Sequence, residues 1–242
     1  MNSRIVLLNL VATFLFFALV VSASAQTRTV GVSVGNKFRY GNTVGWSSND
    51  PSANVTSYIG EANSTEWGEI TVTGISSTNI TGQYITHYKN GTETTNGGWM
   101  DVNTGAGNMT MFAISANLAQ GDSVYTSSYS TWFINETVPK TYSNSARDTN
   151  HLNLTSLSQP LSMRFNFYWD KSTGILVEQL REITNQTGAY TTAVSLHTQI
   201  ISSNVWTVPE FPTSISAVLI LIAVTSATIV IARRRQPRRP LR

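Results

Sequence analysis

Met163-Arg164-Phe165-Asn166-Phe167-Tyr168-Trp169-Asp170-Lys171-Ser172-Thr173-Gly174-Ile175-Leu176-Val177-Glu178-Gln179-Leu180-Arg181-Glu182-Ile183 reads as two strands joined by a tight turn. Before the turn, Met163, Phe165, Phe167 and Trp169 alternate with Arg164, Asn166 and Tyr168, the period-two pattern of a strand with one buried face. The turn has its own chemistry, because Asp170 can accept backbone N–H bonds and Gly174 can take a positive φ. After it, Leu176, Leu180 and Ile183 would also line one face of a helix, so both forms stay open over 175–183; the tight turn favours a hairpin return strand. A one-residue slip would turn Phe165, Phe167 and Trp169 to water. At about 1.5–3 kcal/mol for each, that loss would take most of a domain's margin of about 5–15 kcal/mol.

The same alternation recurs outward from this hairpin. Tyr190, Thr192, Val194, Leu196, Thr198 and Ile200 face one way and Thr191, Ala193, Ser195, His197 and Gln199 the other, and Ile70 and Val72 oppose Thr71 and Thr73. Asn90-Gly91, Asn96-Gly97-Gly98, Thr104-Gly105 and Gly121-Asp122 supply turn signals between such runs. Ser, Thr and Asn make up 80 of the 242 residues, and their side chains compete with a helix backbone for hydrogen bonds. Met111 to Ala119 is the one stretch that reads as a short helix. The six Trp residues fall at similar late spacings, but their flanking residues do not match, so they read as separate core anchors rather than as a repeat. These patterns predict an all-β domain: a single antiparallel meander forming a curved sheet or half-barrel, with a β-sandwich as the alternative. No βαβ alternation supports a parallel-sheet enzyme fold.

The two ends differ from the middle. Residues 1–25 have the parts of a secretory signal: Arg4, an apolar run from Ile5 to Val21, and the small-x-small site Ala23-Ser24-Ala25. An uncleaved N-terminal helix is the alternative, since the run is near the lower length limit for spanning a bilayer. Residues 215–232 are free of charge and long enough to form a transmembrane helix, and residues 233–242 hold six arginines. The positive-inside rule keeps that tail cytoplasmic and puts the 26–206 β-domain outside, above a juxtamembrane linker at 207–214. Residues 26–210 carry 9 Lys+Arg against 13 Asp+Glu, a net of 9 − 13 = −4, so the basic balance of the whole chain comes from its tail. A mildly acidic domain argues against nucleic acid as a partner. With no cysteine, disulfides and cysteine chemistry are excluded.

Within the linker stand Pro209, Glu210, Phe211 and Pro212, followed by the apolar run and the arginines. This order of parts resembles the PEF-type C-terminal sorting signals of archaeal surface proteins. The resemblance implies a sorting peptidase of the archaeosortase type as a partner, with removal of the helix and transfer to another anchor; an ordinary single-pass anchor on a proline-stiffened linker is the alternative. The Asp170-Lys171-Ser172-Thr173-Gly174 hairpin and the opening Val30 to Tyr40 are similar to segments of archaeal envelope proteins, and the hairpin also to half-barrel lipoprotein carriers. Those similarities imply a curved antiparallel sheet and bring no catalytic residue with them.

No set of residues converges on an active site. Gly31-Val32-Ser33-Val34-Gly35 matches the nucleophile pattern G-x-S-x-G, but lacks the strand before it and the helix after it that the chemistry needs. Asp101-Val102-Asn103-Thr104-Gly105 opens like a calcium loop and then places Ala106 and Phe112 where glycine and glutamate are required. His87, His151 and His197 have no metal-ligand spacing, and Glu61, Glu66, Glu69 and Glu93 no spacing that selects a glycosidase pair. The sequence therefore assigns no catalytic residue, no cofactor and no metal. N-x-Ser/Thr sequons occur at Asn54, Asn63, Asn79, Asn90, Asn108, Asn135, Asn153 and Asn185, all between the two apolar ends. The expectation is a membrane-anchored surface or envelope glycoprotein with a non-enzymatic structural or adhesive role, in contact with cell-wall or surface-layer components. The alternative is a carrier or sensor that binds a lipid or other apolar ligand inside a half-barrel.

Overall fold

The computed structural model describes residues 27–55, 57–127 and 132–206. The expected signal peptide, the Pro209–Pro212 motif, the 215–232 span and the arginine tail lie outside the described residues. No helix among the described residues is long and apolar enough to cross a membrane.

Nine strands form one open antiparallel sheet: β1 (Lys37–Ser48), β2 (Thr65–Ser76), β3 (Asn79–Tyr88), β4 (Glu93–Asp101), β5 (Glu136–Tyr142), β6 (Ser145–Ser158), β7 (Leu161–Asp170), β8 (Leu176–Thr187) and β9 (Tyr190–Ser203). One helix, α1 (Ser57–Ser64), links β1 to β2. The all-β class expected from the alternation is what the chain adopts. Strand order is β4-β3-β2-β1-β9-β8-β7-β6-β5.

That order corrects the expected single meander. The sheet is two hairpin-connected runs, β1–β4 and β5–β9, joined where β1 pairs antiparallel with β9 from Phe38↔Ser203 to Ser48↔Thr192. The edges are β4 and β5, and the crossover between them is described over residues 102–127 and 132–135. This strap brings in Val102, Phe112, Ala113, Ile114, Leu118, Val124, Tyr125 and Ile134, all buried in the same cluster as Phe38, Tyr40, Ile70, Val72, Leu152, Phe167 and Trp169 of the sheet. Burial of apolar surface thus requires the crossover to lie on the sheet rather than loop out into water.

The hairpin read first from the sequence is present. β7 and β8 pair from Leu161↔Asn185 to Tyr168↔Glu178, with a register shift before Trp169↔Leu176. Residues 176–183 are strand, and Phe165, Phe167 and Trp169 stack successively on one face at 6.3 and 5.5 Å between rings. Trp169 is fully buried and Phe167 nearly so. In the turn, Asp170 Oδ1 accepts from the Thr173 amide (2.8 Å) and from the hydroxyls of Ser172 (2.7 Å) and Thr173 (2.8 Å).

The expected helix at Met111–Ala119 does not form. Met111 (φ 72°) and Asn117 (φ 59°) are left-handed, which ends any helix that includes them. The amides between them find distant carbonyls instead: Ile114 N donates to Gly174 O (2.8 Å), Ala116 N to Thr29 O (3.0 Å) and Asn117 N to Lys171 O (2.7 Å). At the N-terminal side, Ser33–Asn36 is a turn closed by Asn36 N to Ser33 O (3.1 Å), so the strand content of the opening segment starts at Lys37.

Gly174 has φ +73°, and a Cβ built there would overlap the carbonyl of Ile114. Gly188, in the β8–β9 turn, has φ +62° and open space around it. The pair separates backbone strain from strap packing. Gly188→Ala should cost about 1–2 kcal/mol by urea denaturation, and Gly174→Ala about 3–5 kcal/mol because overlap adds to strain. Equal costs at the two sites would show that the strap does not press on the turn.

Candidate functional site

The strap does not fill the whole face. Between its 108–112 portion and the sheet lies a cleft of about 350 Å³. Register explains its walls: Phe38, Ile70, Tyr84 and Asn96 are successive partners across β1–β4, so Ile70, Tyr84 and Asn96 share the face on which the strap rests. Tyr40 of β1 and Leu176 of β8 add to the walls, and Met109, Met111 and Phe112 form the roof. Asn42, Asn96, Asn108, Gln179 and Thr198 add uncharged polar groups. Two glycines keep the space open, since a Cβ at Gly68 would overlap the Tyr84 hydroxyl and one at Gly98 would crowd Met109.

Several of these groups are held in place. Tyr40 is buried and donates its hydroxyl to Leu176 O (2.8 Å); burial raises its phenol well above the ordinary value, with Tyr84 adding to the shift, so it stays neutral. Phe112 meets Phe38 and Tyr40 edge-on at 6.1 and 6.5 Å. Thr198 Oγ1 donates to Asn42 Oδ1 (2.8 Å), and Asn108 Oδ1 accepts from Trp99 N (2.8 Å). The result is a preformed, electrically neutral cleft with a thioether roof.

On the opposite face a charged cluster ties β5 to β8 and β9. Glu178 accepts from Tyr142 (2.8 Å), from Lys140, and lies 3.0 Å from His197 Nε2. Burial pushes the Glu178 carboxyl up, but the hydrogen bonds from Lys140 and Tyr142 and the Lys140 charge outweigh it, with His197 adding to them, and hold it below the ordinary range. Lys140 also stands over the Tyr168 ring (3.6 Å), which stacks on His151 (4.3 Å). His151 in turn contacts Glu136 (3.0 Å) and Asn166 (3.1 Å). Across the other half of the sheet, His87 stacks on Trp67 (4.7 Å) and lies between Glu93 (2.9 Å) and Glu66 (3.4 Å), while Glu69 pairs with Arg39 (2.8 Å) and Lys37 (3.7 Å). Glu61 meets the Tyr88 hydroxyl at 3.4 Å.

The three histidines and Glu66, Glu69 and Glu93 are thus cross-strand ladder partners, Glu61 stands on α1, and none of them lines the cleft. No group of three or more His, Asp or Glu among the described residues could hold a metal. Ser33 is an exposed turn residue whose amide donates to Asn36 Oδ1 (2.7 Å). Asp101 caps its own turn through Asn103 N (2.7 Å) and Thr104 N (3.0 Å). Of the eight sequon asparagines, Asn79 is half-buried and the other seven are exposed. The cleft itself was not legible in the sequence, because its walls come from seven separate segments. The chain matches no protein-family model and no curated protein.

Asp170 gives the fold its acid sensitivity. It is 1% exposed and accepts from Arg147 Nε (2.6 Å). Burial pushes its carboxyl up, but Arg147, Ser172 and Thr173 together hold it below the ordinary range. A depressed carboxylate adds stability above its unfolded pKa of about 3.9, and that stability is lost as pH falls through the folded value. Arg147→Met should cost about 3 kcal/mol at neutral pH, the low end for orphaning a buried charge, because Ser172 and Thr173 remain. It should also move the acid limb of the stability curve to higher pH. An unchanged acid limb in urea titrations would show that the pair is not what holds the carboxylate down.

Proposed function

We propose that this chain is an exported surface or envelope domain, anchored to the membrane through residues 215–232, with a structural or adhesive rather than an enzymatic role. The observation that carries the reading is the strap: the face that a half-barrel would offer to a large ligand is occupied by the protein's own Phe112, Ile114, Leu118, Val124 and Tyr125. The same strap weighs against the lipid-carrier alternative, because the remaining space of about 350 Å³ is small for a two-chain lipid.

Two further features support the reading. The first and last central strands end side by side, with Lys37 N donating to Asn204 Oδ1 (2.7 Å). β1 therefore begins and β9 ends at one end of the sheet, and α1 with the β6–β7 and β8–β9 turns stands at the other. Asn54, Asn63, Asn90 and Asn185 lie exposed toward that far end, where glycans would face away from a membrane. The partners in this reading are the bilayer, cell-wall or surface-layer components at the far end, and a sorting peptidase acting at Pro209–Pro212.

Protease applied to intact native cells should remove the 27–206 domain. Intact-mass spectrometry of the purified protein should exceed the polypeptide mass, with the excess falling stepwise in Asn63→Gln and Asn90→Gln variants. A domain protected from protease in intact cells would contradict the reading.

A further inference from the structure

We infer that the cleft beneath residues 108–112 is a binding site for a neutral, ring-bearing small molecule. The inference stands apart from the surface role, because it uses only the geometry of the folded domain. Its volume of about 350 Å³ falls at the lower end of small-molecule sites, which run from about 300 to 1,000 Å³. The walls combine an aromatic and aliphatic interior with a few polar groups at the mouth, the usual composition of such sites.

Charge selects the class of ligand. Not one of the lining residues is Asp, Glu, Lys, Arg or His, although charged ladders run along the opposite face of the same sheet. An ion entering the cleft would leave water without gaining a counter-charge, so ionic ligands are disfavoured. Rings are favoured by the Tyr84 face and by two sulfur-bearing side chains, Met109 and Met111, since thioethers adapt in shape and make favourable contacts with aromatic edges. Orientation would come from Asn96, Gln179 and the Tyr84 hydroxyl, whose side chains make no hydrogen bond to any other described residue. The other polar side chains at the site, Asn42, Thr198, Asn108 and Thr110, are already engaged with the protein. The cleft thus offers three unspent hydrogen-bonding groups around an apolar floor.

The absence of cysteine permits a direct test in the full-length chain held in phosphatidylcholine vesicles. Single-cysteine reporters at Thr198→Cys and Asn96→Cys stand on opposite walls of the cleft, and Ser47→Cys reports from outside it. The readout is the rate of modification by a water-soluble maleimide, with and without N-phenyl-1-naphthylamine as a neutral probe. Its charged analogue 8-anilino-1-naphthalenesulfonate is the comparison. At a free neutral-probe concentration about nine times the Kd measured for each cysteine variant, modification at both cleft positions should slow about tenfold, by the factor 1 + [L]/Kd. Modification at Ser47→Cys should not change, and the sulfonate at equal concentration should give little protection. Two reporters keep the test valid if one substitution impairs folding. No protection by the neutral probe at either reporter, equal protection by both probes, or equal slowing at Ser47→Cys would overturn the inference.

Discussion

A pair of backbone hydrogen bonds fixes the architecture. Leu176 N donates to Phe112 O and Ile114 N to Gly174 O, each at 2.8 Å, and Ala113 bridges Ile175 between them. Through these bonds a segment with almost no regular structure of its own is stitched to the turn between β7 and β8. Gly174 is required there because the Ile114 carbonyl occupies the space a side chain would need.

The surrounding interactions all serve this placement. The indole of Trp169 donates to Met111 O (2.9 Å), the Tyr125 hydroxyl to Ala113 O (2.9 Å), and the Asn150 amide to Leu118 O (2.9 Å). Each of these side chains is fully buried, so each donor would otherwise be a costly unpaired group. They satisfy carbonyls that an irregular segment cannot satisfy by itself. The strap also protects an edge: Met109 N donates to Trp99 O (3.2 Å) and Asp101 N to Ala106 O (2.8 Å), which covers the last part of β4 from pairing with another chain. A long crossover, usually a weakness in a compact domain, here supplies one side of the core and a cap for one edge. It also leaves the small neutral cleft where its path rises from β4 toward β7.

Local chemistry decided which parts of this were legible beforehand. The β7–β8 hairpin was readable because its alternation, its Asp170 cap and its Gly174 conformation all lie within some twenty consecutive residues, and each points to the same register. The pairing of β1 with β9 left no trace, since Tyr40 and Ile200 are partners only through the folded sheet. Met111–Ala119 misled for a clear reason: Phe112, Ala113, Ile114 and Ala116 form a compact apolar run that a helix would accept, and their true partners, Leu176, Ile175, Gly174 and Thr29, are remote in sequence. The places of His87, His151 and His197 and of Glu66, Glu69 and Glu93 in cross-strand ladders depend on a register that spacing alone does not give. The sequon asparagines were legible as motifs, while their exposure became known only from the fold.

The central claim is that strap and sheet form one cooperative unit rather than a sheet with a separable lid. Native-state hydrogen exchange on the amides of Ile114, Leu176 and Asp170 tests it most directly, since all three donate across the strap–turn contact or within the turn itself. If the strap is integral, the three amides open with the same free energy, equal to that of global unfolding by urea. An Ile114 amide that opens several kcal/mol more easily than Asp170 would contradict the account, and would describe a strap that lifts from the sheet while the hairpin beneath it stays folded.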